Sequence, residues 1–139
     1  MYNNILLAVD GSENSLRAAQ EAIKIASLGN KCIIEVVVVV DFSHAKSEVL
    51  HAQGKEELEL SRRKKISPIE EKLKSSNLSY KIKILHGEPG PTIVDYANKG
   101  KFELVVVGSR GLNAVQEMVL GSVSHKIAKR VQCPVLIVK

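Results

Sequence analysis

The chain has 139 residues, 45% of them apolar and 25% charged, with a formal net charge of +5. That length suits one hydrophobic core, and that composition is ordinary for a soluble globular protein. No apolar run approaches the ~20 residues that a membrane-spanning helix needs, and Met1-Tyr2-Asn3-Asn4 has no signal-peptide character, so a single cytoplasmic domain over residues 1–139 is expected.

Ile5-Leu6-Leu7-Ala8-Val9 is short, continuous and apolar, as a strand buried on both faces should be. It ends at Asp10-Gly11-Ser12, where Ser12 is a candidate helix N-cap. Leu16, Ala19, Ile23 and Ala26 then repeat at helical spacing, and Gly29 supplies a stop. Ile33–Val40 is dense in β-branched residues and reads as a second strand, with Glu35 expected at its exposed end. Phe42–Gln53 is mixed and polar and contains His44 and His51 without a sharp pattern.

Lys55–Ile66 is highly charged and helical in character. Ser67-Pro68-Ile69-Glu70 has the form of a capping box with proline at the first helical position. Two consecutive helices fit this stretch, as does one helix kinked at Pro68, and the kinked helix is the favoured reading. Tyr80–Leu85 alternates polar and apolar residues, the mark of a half-exposed strand. The turn Gly87–Pro91 leads to a short helix with Ile93, Val94 and Ala97 inward and Gly100 as terminator. Leu104–Val107 is a fourth, buried strand, Val123–Val131 a last helix broken by Cys133-Pro134, and Val135–Val138 a fifth strand. Alternation of this kind predicts an α/β fold, an open and mostly parallel five-stranded sheet flanked by about four helices.

In such a sheet, ligands bind beyond the carboxyl ends of the strands, where the strand order reverses. The first strand ends at Asp10, the second at Val40-Asp41, and the fourth at Gly108-Ser109-Arg110-Gly111; the last helix starts near Gly121-Ser122-Val123-Ser124. A helix N-terminus offers unpaired N–H groups and a partial positive charge to an anion. Glycines at 108, 111 and 121 let a phosphate approach the backbone, Ser122 and Ser124 carry hydroxyls, and Arg110 carries charge. Asp10 suits ribose hydroxyls or a divalent cation bridging phosphates. Each residue also has an ordinary explanation as a turn or a cap; their convergence on one sheet edge is what favours a site. The spacing matches neither a Walker loop nor a dinucleotide fingerprint, since nine residues separate Gly111 from Gly121.

The segments ILLAVDGS (Ile5–Ser12), VVVGSRG (Val105–Gly111), HGEPGPTIVDYA and the terminal CPVLIVK, with the pattern Gly108–Gly111–Gly121-Ser122, resemble the universal stress proteins. The glycine spacing is similar to the ATP-binding branch of that family, and the resemblance spans essentially the whole chain. It implies a Rossmann-like, adenine-nucleotide-binding fold and ATP as ligand, with Mg²⁺ or Mn²⁺ as a candidate companion. Asp10 would meet the ribose or the metal, and Ala8 and Val40 the adenine. Gly108, Arg110 and Gly111 would line the ribose and α-phosphate, and Gly121, Ser122, Val123 and Ser124 the β- and γ-phosphates. It also implies a homodimer paired through Val135–Val138, which would cover an apolar edge strand. Against the family pattern, Ala8 occupies a variable position and Phe42–Gln53 leaves the cover over the nucleotide undefined.

Other candidates are weaker. Cys32 and Cys133 have no metal or redox spacing and read as reduced thiols. His44, His51, His86 and His125 are scattered, with only His125 placed near the phosphate side, where a solvated helix position is the simpler expectation. Arg62-Arg63-Lys64-Lys65 would suit nucleic acid, but Glu56, Glu57, Glu59, Glu70 and Glu71 compensate it and no aromatic residues interleave. The leading function is therefore a nucleotide-dependent regulatory protein whose state an unidentified partner reads. A slow ATPase or phosphotransferase using the same pocket is the alternative, followed by a ligand-free interaction module and a nucleic-acid binder.

Overall fold

A computed structural model describes residues 2–41, 52–111 and 120–139. The elements run β1 (Asn4–Ala8), α1 (Glu13–Ala26), β2 (Ile33–Val40), α2 (Ala52–Lys65), α3 (Ser67–Ser75), β3 (Ser79–His86), α4 (Pro89–Lys99), β4 (Leu104–Gly108), α5 (Ser122–Arg130) and β5 (Val135–Val138). All strands are parallel, in the order β3-β2-β1-β4-β5. The chain therefore builds outward from β1 to one side, then returns to lay β4 and β5 on the other. The reversal falls between β1 and β4, whose registers align Ala8 with Val107. That is the crevice where open α/β sheets bind ligands.

Why the strands are apolar throughout is visible in the two cores. Ile5, Leu7 and Val9 point to one face and Leu6 and Ala8 to the other, following the two-residue period of a strand. The first face packs Ile34, Val36, Val38, Leu104 and Val106 beneath α1 and α3. The second packs Val37, Val105 and Val107 beneath Ile93 and Ala97 of α4 and Ile127 of α5. Each fully buried aliphatic side chain contributes ~1.5–3 kcal/mol of transfer free energy. An alternating pattern appears in β3, one of the sheet's two edge strands.

α1 meets the sheet through Ala18, Ala19, Ala22 and Ala26, all buried. With so little side-chain bulk between them, helix and sheet approach closely. Ser12 caps the helix, its hydroxyl oxygen accepting the Ser15 amide at 3.2 Å.

Three local expectations change. The charged segment forms two helices, α2 and α3, rather than one kinked helix, so five helices flank the sheet among the described residues. Ile66 breaks the run: it is 1% exposed, and its carbonyl accepts the amides of Ile69 and Glu70 at 2.9 and 3.0 Å. Ile66, not Ser67, is thus the N-cap of α3, and the capping box does not form because Ser67 is already helical. Glu35 does not lie at an exposed end either. Its side chain is 13% exposed, pairs with Lys81 of the neighbouring strand at 3.7 Å, and accepts a hydrogen bond from the Tyr96 hydroxyl of α4. Glu35 shares its strand face with Val37 and Val39, which is why it meets α4.

Cys32 is buried, Cys133 partly so, and both thiols are free. Burial is the first cause that pushes each thiol pKa up, which favours the protonated form. No helix among the described residues is long and apolar enough to cross a membrane. His44, His51 and the remainder of 42–51 lie outside the described residues, as does 112–119 within the long glycine spacing.

Candidate functional site

β1 and β4 deliver their carboxyl-end loops side by side, and α5 begins next to them. Asp10, half-buried, accepts the Ser12 amide at 2.9 Å through Oδ1, which fixes its carboxyl over the start of α1. Its Oδ2 lies so near Gly111 that a Cβ on residue 111 would sit 2.5 Å from it. Asp10 and Gly111, read from distant parts of the sequence, therefore share one wall.

The glycines divide by role. A Cβ on Gly108 would stand 2.8 Å from the backbone carbon and Cβ of Asn14, below any normal contact. Gly108 is needed for α1 to dock on the end of β4, whatever binds outside. Gly121 is different. Its backbone, φ −73° and ψ 168°, is extended and open to any residue. Among the described residues, and chain neighbours aside, the nearest atoms to a Cβ there would be the Ser109 oxygen at 3.5 Å, the Arg110 Cα at 3.6 Å and the Gly111 amide nitrogen at 3.8 Å. Those are ordinary contacts, so glycine at 121 leaves a small cradle open between the Ser109–Gly111 turn and α5.

Ser109 organises that cradle. It is 3% exposed, and its amide donates to the Val138 carbonyl of β5 at 2.7 Å. Its carbonyl accepts both the Gly121 amide and the Ser124 hydroxyl, each at 2.7 Å. The Ser124 hydroxyl, 2% exposed, also lies 3.1 Å from the Gly121 carbonyl. Its single proton is spent inside the protein, so what Ser124 offers a ligand is its backbone amide. Ser122 is exposed, Val123 half-buried, and no side chain caps the first turn of α5. The amides of 122–124 therefore head a helix whose dipole favours an anion.

The remaining expected residues sit around this edge. Arg110 is half-buried beside Gly111. Ala8 and Val40 are 4% and 0% exposed at the ends of their strands, with Val40 three residues beyond the Ala8–Val37 register pair. His125 is an exposed helix position, its amide closing the first α5 turn on the Gly121 carbonyl at 3.0 Å. His86 pairs with Glu59 of α2 at 2.5 Å and faces no phosphate-side residue in that contact. Arg63 of the basic run pairs with Glu70 at 3.9 Å. No group of three or more metal-ligating side chains occurs among the described residues.

The sequence alone assigned no role to Asn14 or to Ser109. Asn14 is 8% exposed, and its Nδ2 donates to the Ser109 hydroxyl oxygen at 3.0 Å. A signal existed: Asn14, Ala18, Ala22 and Ala26 form one stripe at four-residue spacing, so a polar side chain lies on the buried face of α1.

A model of the universal stress protein family matches residues 1–139. The chain belongs to the universal stress protein family. Universal stress protein YxiE of Bacillus subtilis (strain 168) is 31% identical over 153 aligned positions, covering all of both chains. The solved universal stress protein UspA from Lactobacillus plantarum has a TM-score of 0.84 at 26% identity, covering 99% of this chain and 98% of its own. Two further structures share the fold at lower identity. One is a universal stress protein in complex with cAMP, 24% identical with a TM-score of 0.71, covering 99% of this chain and 97% of its own. The other is a universal stress protein family member from Arabidopsis thaliana with AMP bound, 20% identical with a TM-score of 0.69, covering 99% and 91%. The five-stranded parallel sheet of this universal stress protein is thus the family's own architecture.

Proposed function

We propose that this universal stress protein binds ATP at the β1–β4 crevice and acts as a nucleotide-dependent regulator. The observation that carries the proposal is Gly121: neither its backbone angles nor its described neighbours require glycine, yet a Cβ there would fill the cradle at the head of α5. A phosphate fits a space bounded by the amides of 122–124 and needs no lysine, because the helix terminus supplies the donors. In this proposal Asp10, Gly111 and Arg110 take the ribose and α-phosphate, Ala8 and Val40 border the base, and Gly108 shapes the wall from behind. Ser122, Val123 and Ser124 hold the outer phosphates. Nucleotides bound to two proteins of the same fold are consistent with this assignment.

A divalent cation would draw its oxygens from the phosphates and the Asp10 carboxylate, since no group of three or more metal-ligating side chains occurs among the described residues. Such a cation would neutralise phosphate charge; Asp10 would orient it. Among the described residues no strand pairs with the outer edge of β5, and a second copy joining there through Val135–Val138 would remove that edge. A regulatory partner would then read the nucleotide state of the pair.

Heat-denaturing purified protein and resolving the supernatant by ion exchange tests this directly, with calorimetry against Mg-ATP as the second arm. Release of nucleotide, or binding in the micromolar range, supports the reading. No released nucleotide together with a flat calorimetric trace would overturn it. Turnover is separable: multiple ATP hydrolysis events lost in Asp10→Ala would mark an enzyme rather than a holder.

A further inference from the structure

A polar relay behind the crevice runs from the part-exposed Arg17 inward to buried Asn14 and Ser109. Arg17, on the second turn of α1, donates through Nε to the Lys139 carbonyl and through Nη2 to Asn14 Oδ1, both at 2.7 Å. A guanidinium only donates, so Asn14 must turn its oxygen toward Arg17 and its amide toward Ser109. That amide reaches the Ser109 hydroxyl at 3.0 Å. The Ser109 peptide then holds β5 through its N–H and α5 through its carbonyl. Gly108 permits all of this, because only a residue without Cβ lets Asn14 stand so close to the end of β4.

We propose that Asn14, oriented by Arg17, is the positioning residue of the crevice: it clamps the Ser109 peptide and thereby sets where Gly121 and the head of α5 lie. Ser109-Arg110 lies between Gly108 and Gly111, and such backbone loses much conformational entropy when a ligand orders it. A clamp made before binding removes part of that loss, which is the general advantage of preorganisation. For nucleotide affinity the inference rests on the ATP proposal; for the placement of Gly121 it stands alone.

The test compares Asn14→Leu, which keeps the branched shape and loses both hydrogen bonds, with Asn14→Asp, which still accepts from Arg17 and from a rotated Ser109 hydroxyl. Amide hydrogen exchange is read at Gly121 in nucleotide-free protein, with Leu6 and Val105 as core references, and ATP affinity is read by calorimetry. Asn14→Leu is expected to speed Gly121 exchange about tenfold more than the core amides, as loss of a buried hydrogen bond implies. Asn14→Asp is expected to restore it. Unchanged Gly121 exchange, or a uniform rise across the core, would overturn the proposal. If Asn14→Leu does not fold, Ser109→Ala removes the same contact while keeping the carbonyl, and the same exchange result decides. Wild-type protein that binds no ATP would count against the nucleotide proposal alone; wild type and Asn14→Leu binding ATP equally would count against the clamp.

Discussion

The Ser124 hydroxyl donates to the Ser109 carbonyl at 2.7 Å, joining the first turn of α5 to the turn after β4 across fifteen positions of sequence. The same carbonyl takes the Gly121 amide at 2.7 Å. One oxygen therefore fixes both ends of the first α5 turn. Replacing Ser124 by Ala leaves Ser109 with its remaining donor, so the fold should survive. The expected loss is about 1 kcal/mol in urea denaturation, the usual net worth of one buried hydrogen bond.

Gly108 and Gly121 should respond oppositely to alanine. Gly108→Ala drives a Cβ to 2.8 Å from the Asn14 backbone, and its overpacking is expected to cost about 1–3 kcal/mol. Gly121→Ala, chain neighbours aside, meets nothing closer than 3.5 Å among the described residues and should cost less than about 1 kcal/mol. Nucleotide affinity should nevertheless fall in Gly121→Ala and vanish in Gly121→Val. Melting temperatures beside calorimetric titrations separate the two effects. A strongly destabilised Gly121→Ala, or undiminished affinity in Gly121→Val, would contradict the cradle.

Ser12 holds the head of α1, on which Asn14 sits. Ser12→Ala removes the acceptor for the Ser15 amide and should cost about 1 kcal/mol in denaturation midpoint terms. The contact to Asp10 Oδ1 should persist, because its donor is the backbone amide of residue 12, which alanine keeps.

Tyr96 provides a pH test. Burial first, then its hydrogen bond to Glu35, pushes its phenol up to about 12. An unfolded tyrosine ionises near 10. The folded value is the higher one, so its contribution is complete below about pH 10 and is lost as pH rises toward 12. Phenolate absorbance during alkaline titration should show a late component that disappears in Tyr96→Phe. A wild-type curve with no component later than that of Tyr96→Phe would refute the buried contact.

Much of the fold was legible because the physics that writes it is local. Ile5–Val9 and Leu104–Val107 are continuous apolar runs since both faces of the sheet are covered, and β3 alternates at one of its two edges. The misreadings share a cause as well. Glu35 looked like a strand's exposed end because nothing nearby in sequence announces Tyr96, sixty-one positions away. The capping box at Ser67 has the right residues, yet buried Ile66 set the helix start one residue earlier.

By itself the sequence determined the class of elements, the sheet's parallel character, and the glycine spacing that marks Gly108, Gly111 and Gly121 as one group. Only the tertiary structure separated those glycines, giving Gly108 to the packing of α1 and leaving Gly121 where a Cβ would make ordinary contacts. It alone joined Asn14 to Ser109, ninety-five positions apart. The physical reason is that periodicity and propensity act between chain neighbours. Which glycine a helix presses against depends on how closely two distant surfaces pack.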